Sequence, residues 1–318
     1  MKRALVTGGA GFIGSYVVER FLKAGFAVEV LDDLSTGRRE HVPPGVPLHE
    51  IDVASRDAGR LVCEGRFDLV AHLAAQMDVR VSVDDPLRDS NTNIGGILTL
   101  LEGVRSYPAD RRPKMVFAST GGALYGDDVP TPTAENAFPN PDSPYGVAKL
   151  SSELYLAYYA RVWGLQHAAL RFGNVYGPRQ NPDGEAGVIA IFAKRLLAGQ
   201  PLTVYGDGKQ TRDYVDVTDV AEAFFVAATA AALPAAGALH ARAFNVGTRV
   251  ETSVLDLVRM LSAAVGVEPT INLAPVRPGE LRRSCLDPRK ADRVLGWRSR
   301  VSLEQGLPRV VEWIRHKA

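Results

Sequence analysis

Thr7-Gly-Gly-Ala-Gly-Phe-Ile-Gly14 is the stretch that decides the fold. Before it, Lys2–Thr7 is apolar in its middle and reads as a short buried strand; after it, Phe12–Ala24 carries Ile13, Val17, Val18, Phe21 and Leu22 at helical spacing. Gly8 permits a tight turn, Gly11 lets backbone amides approach a pyrophosphate, and Gly14 lets the helix pack closely on the sheet. The unpaired amides of the first helical turn, those of Phe12 and Ile13 among them, offer phosphate oxygens the positive end of the helix dipole. A surface turn beside a helix would need no more than the glycines, so the context carries the reading. The motif follows a strand, opens a helix and precedes a second strand, Ala27–Leu31, that ends at Asp32-Asp33. A carboxylate at that point accepts hydrogen bonds from the adenosine ribose and repels a 2′-phosphate. No arginine follows Asp32 until Arg38, so the predicted cofactor is NAD rather than NADP.

The bulk numbers exclude several classes. A chain of 318 residues suits one large or two modest domains. A formal net charge of +1 gives no case for nucleic acid or a polyanionic partner. Met1–Thr7 runs directly into a strand, so no signal peptide is expected. Ala221–Leu239 is the one apolar stretch long enough to suggest a membrane, but Glu222 and Pro234 interrupt it and a buried helix is expected instead. Cys63 and Cys285 are isolated, which fits a reducing cytoplasm and leaves neither a disulfide framework nor a cysteine-rich metal site. The six histidines show no ligand spacing, no metal is expected, and His72 reads as a core or loop residue.

Strand-like runs at Pro47–Val53, Asp68–Ala74, Lys114–Ser119 and Leu165–Phe172 alternate with helix-like runs at Arg56–Glu64, Asn91–Arg105 and Tyr145–Trp163. This is the pattern of an α/β protein: a Rossmann-type doubly wound parallel sheet with functional residues at the carboxyl ends of its strands. The alternation breaks at Asn174–Glu185, where prolines and glycines accumulate. Beyond it come a helix (Gly187–Ala198), a strand (Leu202–Tyr205), the run Val217–Ala232, a strand at Ala243–Val246 that returns to the sheet, and helices at Val254–Val265 and Leu303–His316. The expected organisation is a nucleotide-binding domain of residues 1–173 plus about 211–248, and a smaller mixed α/β substrate domain of about 174–210 plus 249–318.

Tyr145-Gly-Val-Ala-Lys149 supplies the chemistry. On a helix the two side chains lie at i and i+4, on one face. Pro144 suits the first turn, with Ser143 or Asp142 as cap. An ammonium beside a phenol favours phenolate and draws its pKa of about 10 towards neutrality. Tyr145 is then a general base for an alcohol proton, with Lys149 also holding the nicotinamide ribose. Ten tyrosines and eight lysines would give this spacing by chance in roughly one such chain in four, so the pair counts only together with the glycine turn.

With these residues in view the chain resembles the extended short-chain dehydrogenase/reductase family, and within it the 4-epimerases of UDP-glucose and UDP-galactose. The resemblance runs end to end through Thr7–Gly14, Asp32-Asp33, Asp52-Val53, Leu73-Ala-Ala-Gln76, Asn93, Ser119–Gly126, Tyr145/Lys149, Arg171–Gly177, Arg212-Asp-Tyr-Val-Asp216 and Arg277-Pro-Gly-Glu280. It implies that Asp52 and Val53 meet the adenine, and that Leu73, Ala74 and Ala75, with Asn93 and Phe172, lie along the cofactor. Asn174, Arg212 and Arg277 are placed by it on a sugar-nucleotide diphosphate, Glu280 near the uridine ribose, and Gln76, Thr120, Val188, Tyr205 and Ser284 around the substrate. Guanidinium forks suit phosphate oxygens, although each arginine alone would read as a solvated charge. A homodimer is implied through Asn91–Arg105 and Tyr145–Trp163; their apolar positions Leu98, Leu101, Leu156 and Tyr159 suit either a partner or the protein's own core.

One position departs from the family pattern. Gly121 stands where Ser or Thr normally bonds the sugar oxygen being oxidised, which leaves Thr120 and Ser119 as candidates for that role. Gly121-Gly122 also supplies neither the Asp-Glu pair of sugar dehydratases nor the Glu of UDP-glucuronate decarboxylases. The expected activity is NAD-dependent 4-epimerisation of a UDP-hexose through a 4-keto intermediate. Small Ser284 would admit UDP-GlcNAc/UDP-GalNAc as well. Another NAD-dependent nucleotide-sugar oxidoreductase and a non-catalytic dinucleotide sensor stand as the alternatives.

Overall fold

A computed structural model describes residues 1–183, 187–276 and 281–317. Strands β1 (Arg3–Thr7), β2 (Ala27–Asp32), β3 (Leu48–Glu50), β4 (Leu69–His72), β5 (Lys114–Thr120) and β6 (His167–Phe172) lie in the spatial order 3-2-1-4-5-6. Four short strands follow in the chain: β7 (Asn174–Tyr176), β8 (Leu202–Tyr205), β9 (Thr211–Arg212) and β10 (Tyr214–Asp216). Then β11 (Ala243–Val246) returns to the sheet beside β6. All seven strands of the sheet pair in parallel. The order reverses between β1 and β4, which puts Thr7 beside His72 at the switch point where such folds bind ligands.

Both sheet faces are covered, so the strands are nearly continuous apolar runs. On one face, Ala4, Val6, Val116 and Ala118 pack against α1 (Phe12–Lys23) and, through Val220 and Phe224, against the later helix Val217–Thr229. On the other, Leu5, Met115 and Phe117 meet α2 (Arg56–Glu64), and beyond two short helices, α3 (Val79–Asp84) and α4 (Pro86–Ser90), also α5 (Gly96–Arg105) and α6 (Pro144–Trp163). A third core joins α7 (Val188–Leu197) to two helices beyond α8 (Val217–Thr229), namely α9 (Val254–Val265) and, after α10 (Arg289–Leu295), α11 (Leu303–Lys317); Phe192, Leu257, Leu261, Leu307 and Val311 are buried there. Small sheets tie this part together: β7 with β10, β8 with β13 (Ile271–Ala274), and β9 between β12 (Thr252–Ser253) and β14 (Arg283–Ser284).

Most expected elements are present, with informative differences. The strand expected over Pro47–Val53 is only Leu48–Glu50, since the chain must turn to bring Asp52 to the helix that follows. The run Val217–Ala232 stops at Thr229. The helix expected over Asn91–Arg105 opens with a π-turn, Asn91–Gly95, before α5 begins, and π-turns gather at functional sites. Helices α3 and α4 have too few residues to show a period. Each is instead fixed by an aspartate cap: Asp78 accepts from the amides of Arg80 and Val81, and Asp85 from that of Arg88.

Candidate active site

The glycine turn is built without tolerance. Gly8 has φ +69°, and a Cβ there would lie 2.6 Å from the Ala74 amide nitrogen. At Gly14 a Cβ would lie 2.0 Å from the Gly8 carbonyl oxygen. Gly11 is the N-cap of α1 and no side chain caps that helix, so its first amides face the carboxyl end of β1. Asp32 is buried; its two oxygens accept from the amides of Ala10 at 2.9 Å and Leu34 at 3.0 Å, so the carboxylate is anchored against the glycine loop. Burial pushes the Asp32 carboxyl above its ordinary value, against the pull of those hydrogen bonds. A cradle that a single methyl would fill, with one fixed carboxylate at its rim, fits a dinucleotide and its ribose.

The other expected cofactor residues surround this cradle. Phe12 and Ile13 begin α1, and Ile13 packs on the sheet core. Asp33 is exposed and binds the amide and hydroxyl of Ser35. Asp52 is exposed and accepts from Ala54, while Val53 is buried beside Gly96. Leu73, Ala74 and Ala75 leave β4 half-buried. The Thr7 hydroxyl accepts from the amides of Leu73 and Ala74 at 3.2 Å and lies 2.8 Å from His72 Nδ1. Both lone pairs being taken, its proton goes to the imidazole, which is therefore neutral. Burial, with the Lys149 charge, pushes His72 down to about 3.

Ser143 caps α6 through the Gly146 amide. Lys149, 3% exposed, donates from Nζ to the Ala118 carbonyl of β5 at 3.0 Å and stands 5.7 Å from the Tyr145 ring centroid. Burial pushes Lys149 down to about 8, opposed by Asp89 and Glu153. Tyr145 corrects an expectation. Its phenol lies well above its ordinary value, not below it, because burial penalises phenolate and the Asp89 charge adds to that. Part of the Tyr145 side chain is open to solvent, yet its phenol is surrounded as densely as the interior, and that surrounding governs the penalty.

Ser119 is a second correction. Its hydroxyl donates to Glu153 at 2.5 Å inside the core, where Arg171 grips both oxygens of the same carboxylate, the shortest contact being 2.6 Å. Glu153 and Arg171 are each almost fully buried, a pair the sequence reading did not single out for this purpose. Thr120 is half-buried at the strand end and accepts from the Ala123 amide at 3.2 Å. A Cβ on Gly121 would lie 2.6 Å from both methyls of Leu286, so that side chain occupies the space of the missing one. A Cβ on Gly122 would come 3.9 Å from Ser284 Oγ, which brings β14 to the segment that follows β5.

Of the remaining substrate candidates, Gln76 is committed elsewhere: its amide donates to Asp78 O and Asp89 Oδ1 and accepts from the Asp78 amide. Asn93, 3% exposed, donates to Gln76 O and Asp89 Oδ1. Phe172 is buried at the end of β6, and Asn174, held by its amide to Asp213 O, continues from it. Val188 starts α7 and Tyr205 ends β8, both half-buried. Arg212 donates to the carbonyls of Thr211 and Leu281. Arg277 and Glu280 lie outside the described residues. Leu101, Leu156 and Tyr159 face the protein's own core and Leu98 is half-buried against it, whereas Val147, Leu154, Tyr158 and Val162 form the exposed face of α6. Asp89 was missed, since an aspartate on a five-residue helix carries no signal in one sequence. Among the described residues no cluster of three metal-binding side chains occurs, and no helix is long and apolar enough to cross a membrane.

Comparison with known proteins identifies the family and the fold. The family model described as GDP-mannose 4,6 dehydratase matches residues 5–310. A UDP-glucose 4-epimerase of Mycolicibacterium smegmatis is 43% identical over 99% of each chain. The crystal structure of a UDP-glucose 4-epimerase with UDP-glucose from Thermotoga maritima superposes with a TM-score of 0.91 at 43% identity, covering 99% of each chain. That of the Thermus thermophilus UDP-glucose 4-epimerase in complex with NAD gives 0.90 at 45% identity, covering 99% of this chain and 100% of the other.

Proposed function

The chain belongs to the extended short-chain dehydrogenase/reductase family, and on that footing we propose that it is an isomerase, a UDP-hexose 4-epimerase that keeps NAD bound through its cycle. One observation carries the reading: Tyr145 and Lys149 project from one helix at the carboxyl ends of the strands, beside a glycine cradle that fits a dinucleotide. NAD, when bound, supplies a hydride acceptor for C4 of the sugar and a positive charge beside the phenol. Tyr145 takes the 4′-hydroxyl proton from one face of the sugar and returns it after the 4-keto sugar, tethered by its diphosphate, has turned over. Lys149, fixed on Ala118 O, holds an ammonium that favours phenolate once that second positive charge is present. Arg212 and Asn174 are assigned to the sugar-nucleotide diphosphate, and Thr120 is the hydroxyl at the end of β5 that remains for the sugar oxygen once Ser119 is turned inward.

UDP-galactose and UDP-glucose are the first substrates. Ser284, across from Gly122, leaves room for an N-acetyl group, so UDP-GlcNAc/UDP-GalNAc is a second pair. The exposed apolar face of α6, Val147, Leu154, Tyr158 and Val162, suits a homodimer, which light scattering after gel filtration would detect. Two free cysteines, one exposed, suit the cytoplasm. The test is incubation with UDP-galactose and separately with UDP-GlcNAc, with and without added NAD+, followed by quantification of the C4 epimers. Epimers without net NADH formation are expected. Stoichiometric NADH would mark a net oxidoreductase instead, and silence on both sugars with NAD bound would sink the epimerase reading in favour of a net oxidoreductase or a dinucleotide sensor.

A further inference from the structure

We propose that Asp89 is a positioning residue of the Tyr145–Lys149 pair: its carboxylate, anchored by Gln76 and Asn93, sets the charge balance in which the phenol releases and regains its proton. The inference rests on the reading of Tyr145 as the proton carrier and adds a residue to it. Asp89 sits in α4 and is 1% exposed. Its Oδ1 accepts from Gln76 Nε2 and Asn93 Nδ2, each at 2.9 Å. Its Oδ2 is buried with no hydrogen-bond partner among the described residues, and so is Asn93 Oδ1. An orphaned buried carboxylate oxygen is costly, and a residue present for packing alone would be better served by an amide or an apolar side chain.

The charges around the pair single Asp89 out. From β4, His72 faces Lys149 as a neutral ring. From α6 itself, Glu153 is gripped by Arg171 of β6 and its charge is largely matched there. Helix α4 packs directly against α6, and Ser152 of α6 donates to the carbonyl of Asn93, the residue that anchors Asp89, at 3.3 Å. So placed, Asp89 is the carboxylate that raises both the Lys149 ammonium, against the downward push of burial, and the Tyr145 phenol. The two effects have one use. Asp89 supports the Lys149 ammonium against burial, while Tyr145 keeps its proton until a further positive charge enters the site.

The test is an ultraviolet titration of the Tyr145 phenol in the NAD-loaded protein, with Tyr145→Phe as the blank. Asp89→Asn should lower the apparent phenol pKa by roughly one unit, the effect of removing one nearby like charge, and Asp89→Glu should leave it near that of the unsubstituted protein. An unchanged titration in folded Asp89→Asn overturns the proposal. So does failure of both Asp89→Asn and Asp89→Ser to fold while Asp89→Glu folds, since the carboxylate then serves stability alone. The titration needs no sugar nucleotide, so a chain that binds NAD without epimerising still answers it.

Discussion

The two sides of Tyr145 are built on different terms. On the dinucleotide side, Gly8 and Gly14 are bounded by backbone, the Ala74 amide and the Gly8 carbonyl, which cannot move without the sheet. On the sugar side, Gly121 is bounded by the methyls of Leu286, and Gly122 opens towards the Ser284 hydroxyl. Backbone held by strand pairing does not yield, whereas a side-chain tip can be pushed about 30° off its rotamer at about 1 kcal/mol. On the proposed function, the dinucleotide side therefore tolerates little change, and specificity can drift on the sugar side.

Four substitutions or conditions test that contrast. Tyr145→Phe touches neither wall and removes only the proton carrier; kcat should fall roughly a thousandfold, about 4 kcal/mol, with NAD still bound. A loss under tenfold would show that another group carries the proton. Gly14→Ala strikes the rigid side, where its methyl meets the Gly8 carbonyl at 2.0 Å. Denaturant unfolding should show a loss of about 3 kcal/mol and weakened NAD binding. Unchanged stability would mean that this side yields after all.

Acid should also find the rigid side first. His72, beside Thr7 at the glycine turn, and His167, at the start of β6, are buried and held down to about 3, while a histidine of the unfolded chain titrates at its ordinary 6.5. Between these values the unfolded state binds more protons, so stability is fully present above about pH 6.5 and falls on acidification by roughly 1 kcal/mol per unit for each histidine. His72→Gln should flatten that slope, and an unaltered slope would remove His72 from the account. The smallest effect is expected on the yielding side: Gly121→Ser should displace Leu286 and change kcat less than tenfold, about 1 kcal/mol. Collapse of the fold in that variant would erase the contrast.

The two sides were also unequally legible. Gly8, Gly14 and Asp32 could be read because a turn, a helix start and a strand end are local, and each leaves its residue type in place. Ser119 could not: whether its hydroxyl meets substrate or Glu153 depends on which face of β5 meets α6. The Tyr145 phenol was misjudged for a related reason. The i, i+4 spacing announces the neighbouring ammonium, but the burial that outweighs it is a property of the assembled cleft. Asp89 comes to the pair only because the short helix α4 packs against α6.

By itself the sequence determined the alternation of strand and helix, the glycine cradle and the helical face that carries Tyr145 and Lys149, since periodicity and turn chemistry act over a few residues. Only the tertiary structure decided which hydroxyl stays free at the end of β5, that Leu286 fills the space beside Gly121, and that α4 brings Asp89 to the helix of Tyr145 and Lys149. Those outcomes join segments from 34 to 165 residues apart in the chain. Desolvation and close packing are fixed there by the whole fold, and no local pattern records them.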